Sequence, residues 1–210
     1  MVDIRTLSRV VIGAVLYYVA ATTLLHVLEP DMDPVANPMS AYVLTGSGTL
    51  MTTTYFVQAA ALIALVDGLR RVLPRSMMQS IGFALFALAA LAAATSGVFP
   101  GESPPPHTLS GIIHLTGGVI YSFAIASAVV LTTLSMRKDA RWGGAGALVT
   151  ALAVGVVIGT ALFPIMAASG AGLAQRISFA VTFAWMLVVA HQMPKIATVV
   201  SEVPGHAARS

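Results

Sequence analysis

The chain has 210 residues, 57% hydrophobic and 9% charged, where soluble globular domains carry roughly 25% charged residues. With a mean hydropathy of +0.88, this composition excludes a water-soluble domain. The 11 Lys and Arg against 8 Asp and Glu give a net charge of +3, scattered too thinly for the basic stripe that nucleic acid requires, and the absence of cysteine excludes disulfides, thiolate metal sites and cysteine nucleophiles.

Apolar stretches predict spans near residues 9–28, 50–69, 78–99, 110–135, 144–167 and 177–193, each long enough to cross a hydrocarbon core of ~30 Å. The small residues Val19, Ala20 and Ala21 resemble a signal-peptide cleavage site, but the apolar run continues to Leu28, too far for a signal sequence. The fold expected is all-α: a polytopic membrane protein forming a compact six-transmembrane-helix bundle over residues 1–193. A loop over 29–49 holds Pro30, Pro34, Asn37 and Pro38, cannot be one regular helix, and suggests a lid or re-entrant cap. Residues 194–210, opening at Pro194, predict a cytoplasmic C-terminal tail.

All 11 basic residues except Arg176 fall on one side of this arrangement, from Arg5 and Arg9 to Lys195 and Arg209, while Glu29, Asp31, Asp33 and Glu102 fall on the other. Because short basic loops stay inside, both termini are expected to be cytoplasmic in a multi-pass protein of the cell membrane. Spans one, three and five each end near a proline, at Pro30, Pro100 and Pro164, a weak sign of internal repetition. Gly155 and Gly159 share a helical face as a close-packing contact. Asp67 precedes Arg70 and Arg71 at ion-pair spacing, and His191 sits at the inner interface.

Ionisable groups are costly in lipid, so their placement is informative. His26 closes span one on a stripe with Thr22. His114 opens span four on a stripe with Ser110, Gly118 and Tyr121. Thr54 and Gln58 lie one turn apart in span two, and Ser178, Thr182 and Trp185 share a face of span six. Around them stand Asp31, Asp33, Glu102, His107 and Arg176. These groups can form a capped polar pocket at the non-cytoplasmic end. Two histidines with carboxylates suit a divalent cation such as zinc or manganese, with His26, Asp33 and His114 as candidate ligands. Simpler roles are also open: Asp31 and Asp33 as turn formers before Pro34, His26 bonded locally to Thr22, His107 as an exposed loop residue. Arg176 can pair with Glu102 or Asp33, or hold an anionic headgroup.

The segments HVLEPDMDPVANPMSAY from His26, VFPGESPP from Val98, TLSGIIH from Thr108 and GLAQR from Gly172 resemble the bacterial and archaeal six-span membrane proteins grouped as domain of unknown function 998. The resemblance covers nearly the whole chain. It implies six helices and marks His26, Asp31, Asp33, Pro38, Ser40, His114 and Arg176 as the family's pattern. The chain departs from it at Ala41, where relatives often carry an acid. No activity comes with the resemblance.

The residues themselves point to a pocket that binds or transforms a membrane lipid, isoprenoid or other lipophilic small molecule. His26, Asp31, Asp33 and His114 are the expected catalytic groups, by general acid–base or metal-assisted chemistry, and Ser40, Gln58, Glu102, Tyr121 and Arg176 the expected substrate contacts. The alternative is a non-enzymatic helper subunit, sensor or small transporter, with a membrane-protein partner or a second copy of the chain on its outer loop. Haem held between His26 and His114 is a third arrangement that the chemistry allows.

Overall fold

The computed structural model describes residues 2–102 and 106–202, with side chains through residue 198. Pro104, Pro105, Arg209 and the last part of the expected tail, 203–210, lie outside the described residues. Six helices follow one another: α1 (Ile4–Leu28), α2 (Gly48–Val72), α3 (Met77–Val98), α4 (Leu109–Arg137), α5 (Gly143–Ile165) and α6 (Ala171–Glu202). Each is long and apolar enough to cross a membrane. The chain is therefore an all-helical, multi-pass membrane protein.

The helix starts follow local chemistry. The Asp3 carboxylate accepts from the Arg5 amide at 3.1 Å, the Ser76 hydroxyl from Gln79 at 3.2 Å, and the Thr108 hydroxyl from Gly111 at 3.0 Å, each satisfying a donor that the first helical turn leaves unpaired. Consecutive helices pack side by side, α6 returns to α1, and α2 touches α6 across the ring. Alanines at 59, 61 and 64 of α2, 89, 90, 92 and 93 of α3, and 124, 126 and 128 of α4 are all buried, so these backbones approach closely and gain dispersion contacts where lipid offers no hydrophobic drive. Leu16, Ile63, Leu91 and Phe123 are exposed, as a lipid-facing belt requires.

The expected glycine contact is an α5–α6 crossing. A Cβ on Gly159 would stand 2.8 Å from Ser178 Cα, and one on Gly155 would stand 3.4 Å from Val181 Cγ1. Pro164 lies inside α5, one residue before its end, and Pro194 inside α6. The sixth helix runs well beyond residues 177–193 at both ends. Pro194 has no N–H for the carbonyl of Ala190 four residues back, and the hydroxyl of Ser8 donates to that carbonyl at 2.7 Å instead. A donor from α1 thus lets the helix pass through proline.

At the basic end Arg71 pairs with Asp67 at 2.5 Å, while Arg70 lies over the Phe83 ring at 5.7 Å. Arg141 joins Asp139 at 2.6 Å and reaches the Val72 carbonyl at 2.7 Å, tying the α4–α5 connection to the end of α2. His191 is exposed.

Candidate functional site: two interlocked caps over a neutral cavity

The opposite end is closed by two hydrogen-bonded caps. In the first, the loop after α1 folds into a short 3-10 turn over Met39–Leu44 and is fastened to the first turns of α6. The Leu173 amide donates to Val35 O at 3.0 Å, and the Met39 amide to Gln175 Oε1 at 2.5 Å. Arg176 donates through Nη1 to Asn37 O at 2.9 Å and Gly172 O at 3.0 Å. Its Nε and Nη2 stand 3.3 and 3.1 Å from His26 Nε2. A guanidinium only donates, so Nε2 is the acceptor and the imidazole carries its proton on Nδ1, which lies 2.5 Å from Thr22 O. Glu29 closes the loop by accepting from the Ser47 amide at 2.7 Å, and its bonds to Ser47 hold its carboxyl below the usual range.

The second cap joins α3 to α4. Glu102 Oε2 accepts from the amides of His107 and Thr108 at 3.0 and 2.9 Å and from the Thr108 hydroxyl at 2.9 Å. The bonds from Thr108 lower its pKa. Ser110 donates to Pro100 O at 3.0 Å. His114 Nδ1 faces two carbonyl oxygens, Phe99 O at 2.9 Å and Ser96 O at 3.2 Å. Two acceptors demand a donor, so Nδ1 is protonated, and in the neutral ring Nε2 keeps its lone pair. Among the described residues, no hydrogen bond occupies that Nε2.

Beneath the caps lies a cavity of about 360 Å³, within the roughly 300–1,000 Å³ of small-molecule sites. His114, Tyr55, Gln58, Tyr121 and Thr160 are among its polar groups, and among the described residues no Asp, Glu, Lys or Arg lines it. Gln58 Nε2 donates to the Tyr121 hydroxyl at 2.5 Å. Phe179 stacks between Tyr18 and Tyr121, with centroids 5.3 and 5.8 Å away. The hydroxyls of Tyr55 and Thr160 are buried without a partner among the described residues. Leu115, Val119 and Phe123 of α4 line the cavity while being at least half exposed, so it opens sideways towards lipid, opposite Phe163 and Pro164 of α5.

The expected site residues therefore divide. His114, Gln58, Tyr121 and Ser40 line the cavity. His26, Asp31, Asp33, Glu102 and Arg176 do not. Arg176 is bonded to His26 and not to Glu102 or Asp33. Asp33 is an exposed turn former, accepting from the Val35 amide at 2.8 Å, and Asp31 is exposed in the same loop. The expected metal set of His26, Asp33 and His114 is not assembled: no group of three His, Asp or Glu able to hold a metal occurs among the described residues. Both ring nitrogens of His26 are also engaged, which removes its lone pair from zinc and from a haem shared with His114 alike.

A family model described as a protein of unknown function, DUF998, matches residues 11–192. The chain belongs to the DUF998 family. No curated protein and no solved structure matches it. The sequence segments that carry the family resemblance are the ones the structure joins in pairs. The segment from His26 to Tyr42 meets Gly172–Arg176 in the first cap, and Val98–Glu102 meets Thr108–His114 in the second. In this DUF998 protein those segments build the roof, and the cavity walls come largely from elsewhere. Thr160 went unnoticed in the sequence because a lone threonine in an apolar span is ordinary. The signal was its place four residues before Pro164, which has no N–H to return to the Thr160 carbonyl.

Proposed function

We propose that this DUF998 protein binds a lipophilic molecule with an uncharged, hydrogen-bonding head. The head lies against His114, Tyr55 and Thr160, and the tail passes between the outer halves of α4 and α5 into the bilayer. The observation that carries this reading is a cavity with several polar groups but no formal charge, whose open side is lined by lipid-facing side chains. A phosphate in it would lack a compensating cation, since Arg176 is committed to the loop. The aromatic stack of Tyr18, Phe179 and Tyr121 suits an isoprenoid or similarly planar chain. His114 is the group placed to act as a general base on such a molecule. The gathering of basic residues at the far end supports an orientation with both termini in the cytoplasm and the cavity in the outer leaflet.

The test is native mass spectrometry of protein purified in mild detergent, with extraction of what it carries. Gly118 lines the cavity at an exposed position, and a Cβ there would meet nothing within 4 Å, so Gly118→Trp adds an indole at the mouth from a position with no close neighbour. The expected result is a neutral lipophile bound to the wild type and its occupancy reduced several-fold in the variant, at an unchanged melting temperature. Equal occupancy in both proteins overturns the lateral cavity as the binding site.

A further inference from the structure

We infer that the ligand is an alcohol, and that its hydroxyl donates a hydrogen bond to Nε2 of His114. This deepens the proposed binding reading and rests on it. The carbonyls of Phe99 and Ser96 at the end of α3, 2.9 and 3.2 Å from Nδ1, require the proton on that nitrogen. In the neutral imidazole the other nitrogen then accepts. The tautomer is fixed by the second cap and not by the ligand, so the cap that closes the bundle also sets the polarity of the cavity.

Two further features of the wall agree. Pro164 leaves the Thr160 carbonyl without its helical donor, and Thr160 lines the same cavity as His114. Tyr55 stands edge-on to His114 with ring centroids 5.7 Å apart, and its buried hydroxyl has no partner among the described residues. A ligand hydroxyl meets both demands at once, donating to Nε2 and accepting from the Tyr55 O–H. A ketone or ester can accept only, which leaves the imidazole lone pair buried and unpaired, and that loss is what discriminates. An ammonium head would satisfy Nε2 but bring a charge that no carboxylate in the wall compensates.

The experiment compares tritiated farnesol with its methyl ether, which differs only in the donor, for binding to the full chain in nanodiscs. Wild type is expected to bind the alcohol about ten-fold more tightly than the ether, the loss of one buried hydrogen bond. His114→Asn keeps a side-chain donor near the Phe99 carbonyl but has no acceptor at the Nε2 position. It is expected to bind both compounds at the level of the ether. Histidine ¹⁵N spectra give a readout independent of folding or affinity: the acceptor resonance of His114 should shift with the alcohol and not with the ether. Equal affinity of wild type for the two compounds, with both excluded by Gly118→Trp, overturns the alcohol assignment and leaves the cavity reading standing. No binding of either, or binding indifferent to Gly118→Trp, overturns both.

Discussion

Arg176 and His26, 150 positions apart in the sequence, meet with the guanidinium 3.1 Å from Nε2 of the imidazole. This contact turns two segments of unremarkable composition into a clasp, because the same guanidinium also reaches Asn37 O and Gly172 O. Lysine cannot supply a fork in two directions. Arg176→Lys is expected to cost about 1–3 kcal/mol through buried acceptors left unpaired. It should also speed amide exchange over residues 33–44 while leaving the basic end unchanged. Exchange at the wild-type rate would mean that Gln175 and the Leu173 amide hold the loop alone.

Two glycines near this end predict opposite outcomes for similar changes. A Cβ on Gly172 would fall 2.3 Å from Asn37 O and 2.6 Å from Pro34 O, both backbone atoms that can move only with the whole loop. Gly172→Ala is therefore expected to destabilise by at least about 1–3 kcal/mol, the usual range for overpacking, seen as a lower apparent melting temperature in detergent. Gly118→Ala faces open space and gains helix propensity, so it should melt at or slightly above the wild-type temperature. A reversed ranking would remove the close approach of loop and α6 as a structural determinant.

What the sequence made legible follows from which forces act locally. Six spans were readable because length and apolarity alone decide whether a segment crosses a bilayer, and the places of His26 in the last turn of α1 and His114 near the start of α4 followed from counting turns. Their partners were not readable. A helical wheel gives the face of a residue but not the neighbour on that face, and here His26 faces Arg176 of α6 while His114 faces the end of α3. The expected metal set failed for this reason. Asp33 was resolved by local turn chemistry, through its bond from the Val35 amide. Thr160 gained its interest only when α4 and α5 were seen to frame the mouth.

The two glutamates of the caps give the acidic end a pH dependence. Hydrogen bonds from Ser47 to Glu29 and from Thr108 to Glu102 hold both carboxyls below their ordinary value in the folded chain. A group with a depressed folded pKa contributes stability that is fully present above its unfolded value, about 4.3 for Glu, and lost as pH falls through the lower folded one. The apparent melting temperature is expected to be level near neutrality and to fall below about pH 4.3. Glu102→Gln, which retains an acceptor but does not titrate, should flatten part of that fall. An identical acid limb in the variant would assign the loss to other carboxylates.

Pro194 inside α6 offers a prediction in which two substitutions repair each other. The Ala190 carbonyl is accepted into the structure only because the Ser8 hydroxyl, buried between α1 and α6, donates to it at 2.7 Å. Ser8→Ala leaves that carbonyl without a donor in a site closed to water and is expected to cost about 1–3 kcal/mol. Pro194→Ala restores an N–H four residues along the helix. In that background the hydroxyl is no longer needed, and Ser8→Ala should cost little more than its lost contacts. The double-mutant cycle, measured as apparent melting temperatures of the four proteins in one detergent, should give a coupling of about 1 kcal/mol or more. Additive costs would show that the Ser8 bond and the missing helical bond are independent, and the continuity of α6 through its proline would then need a different physical cause.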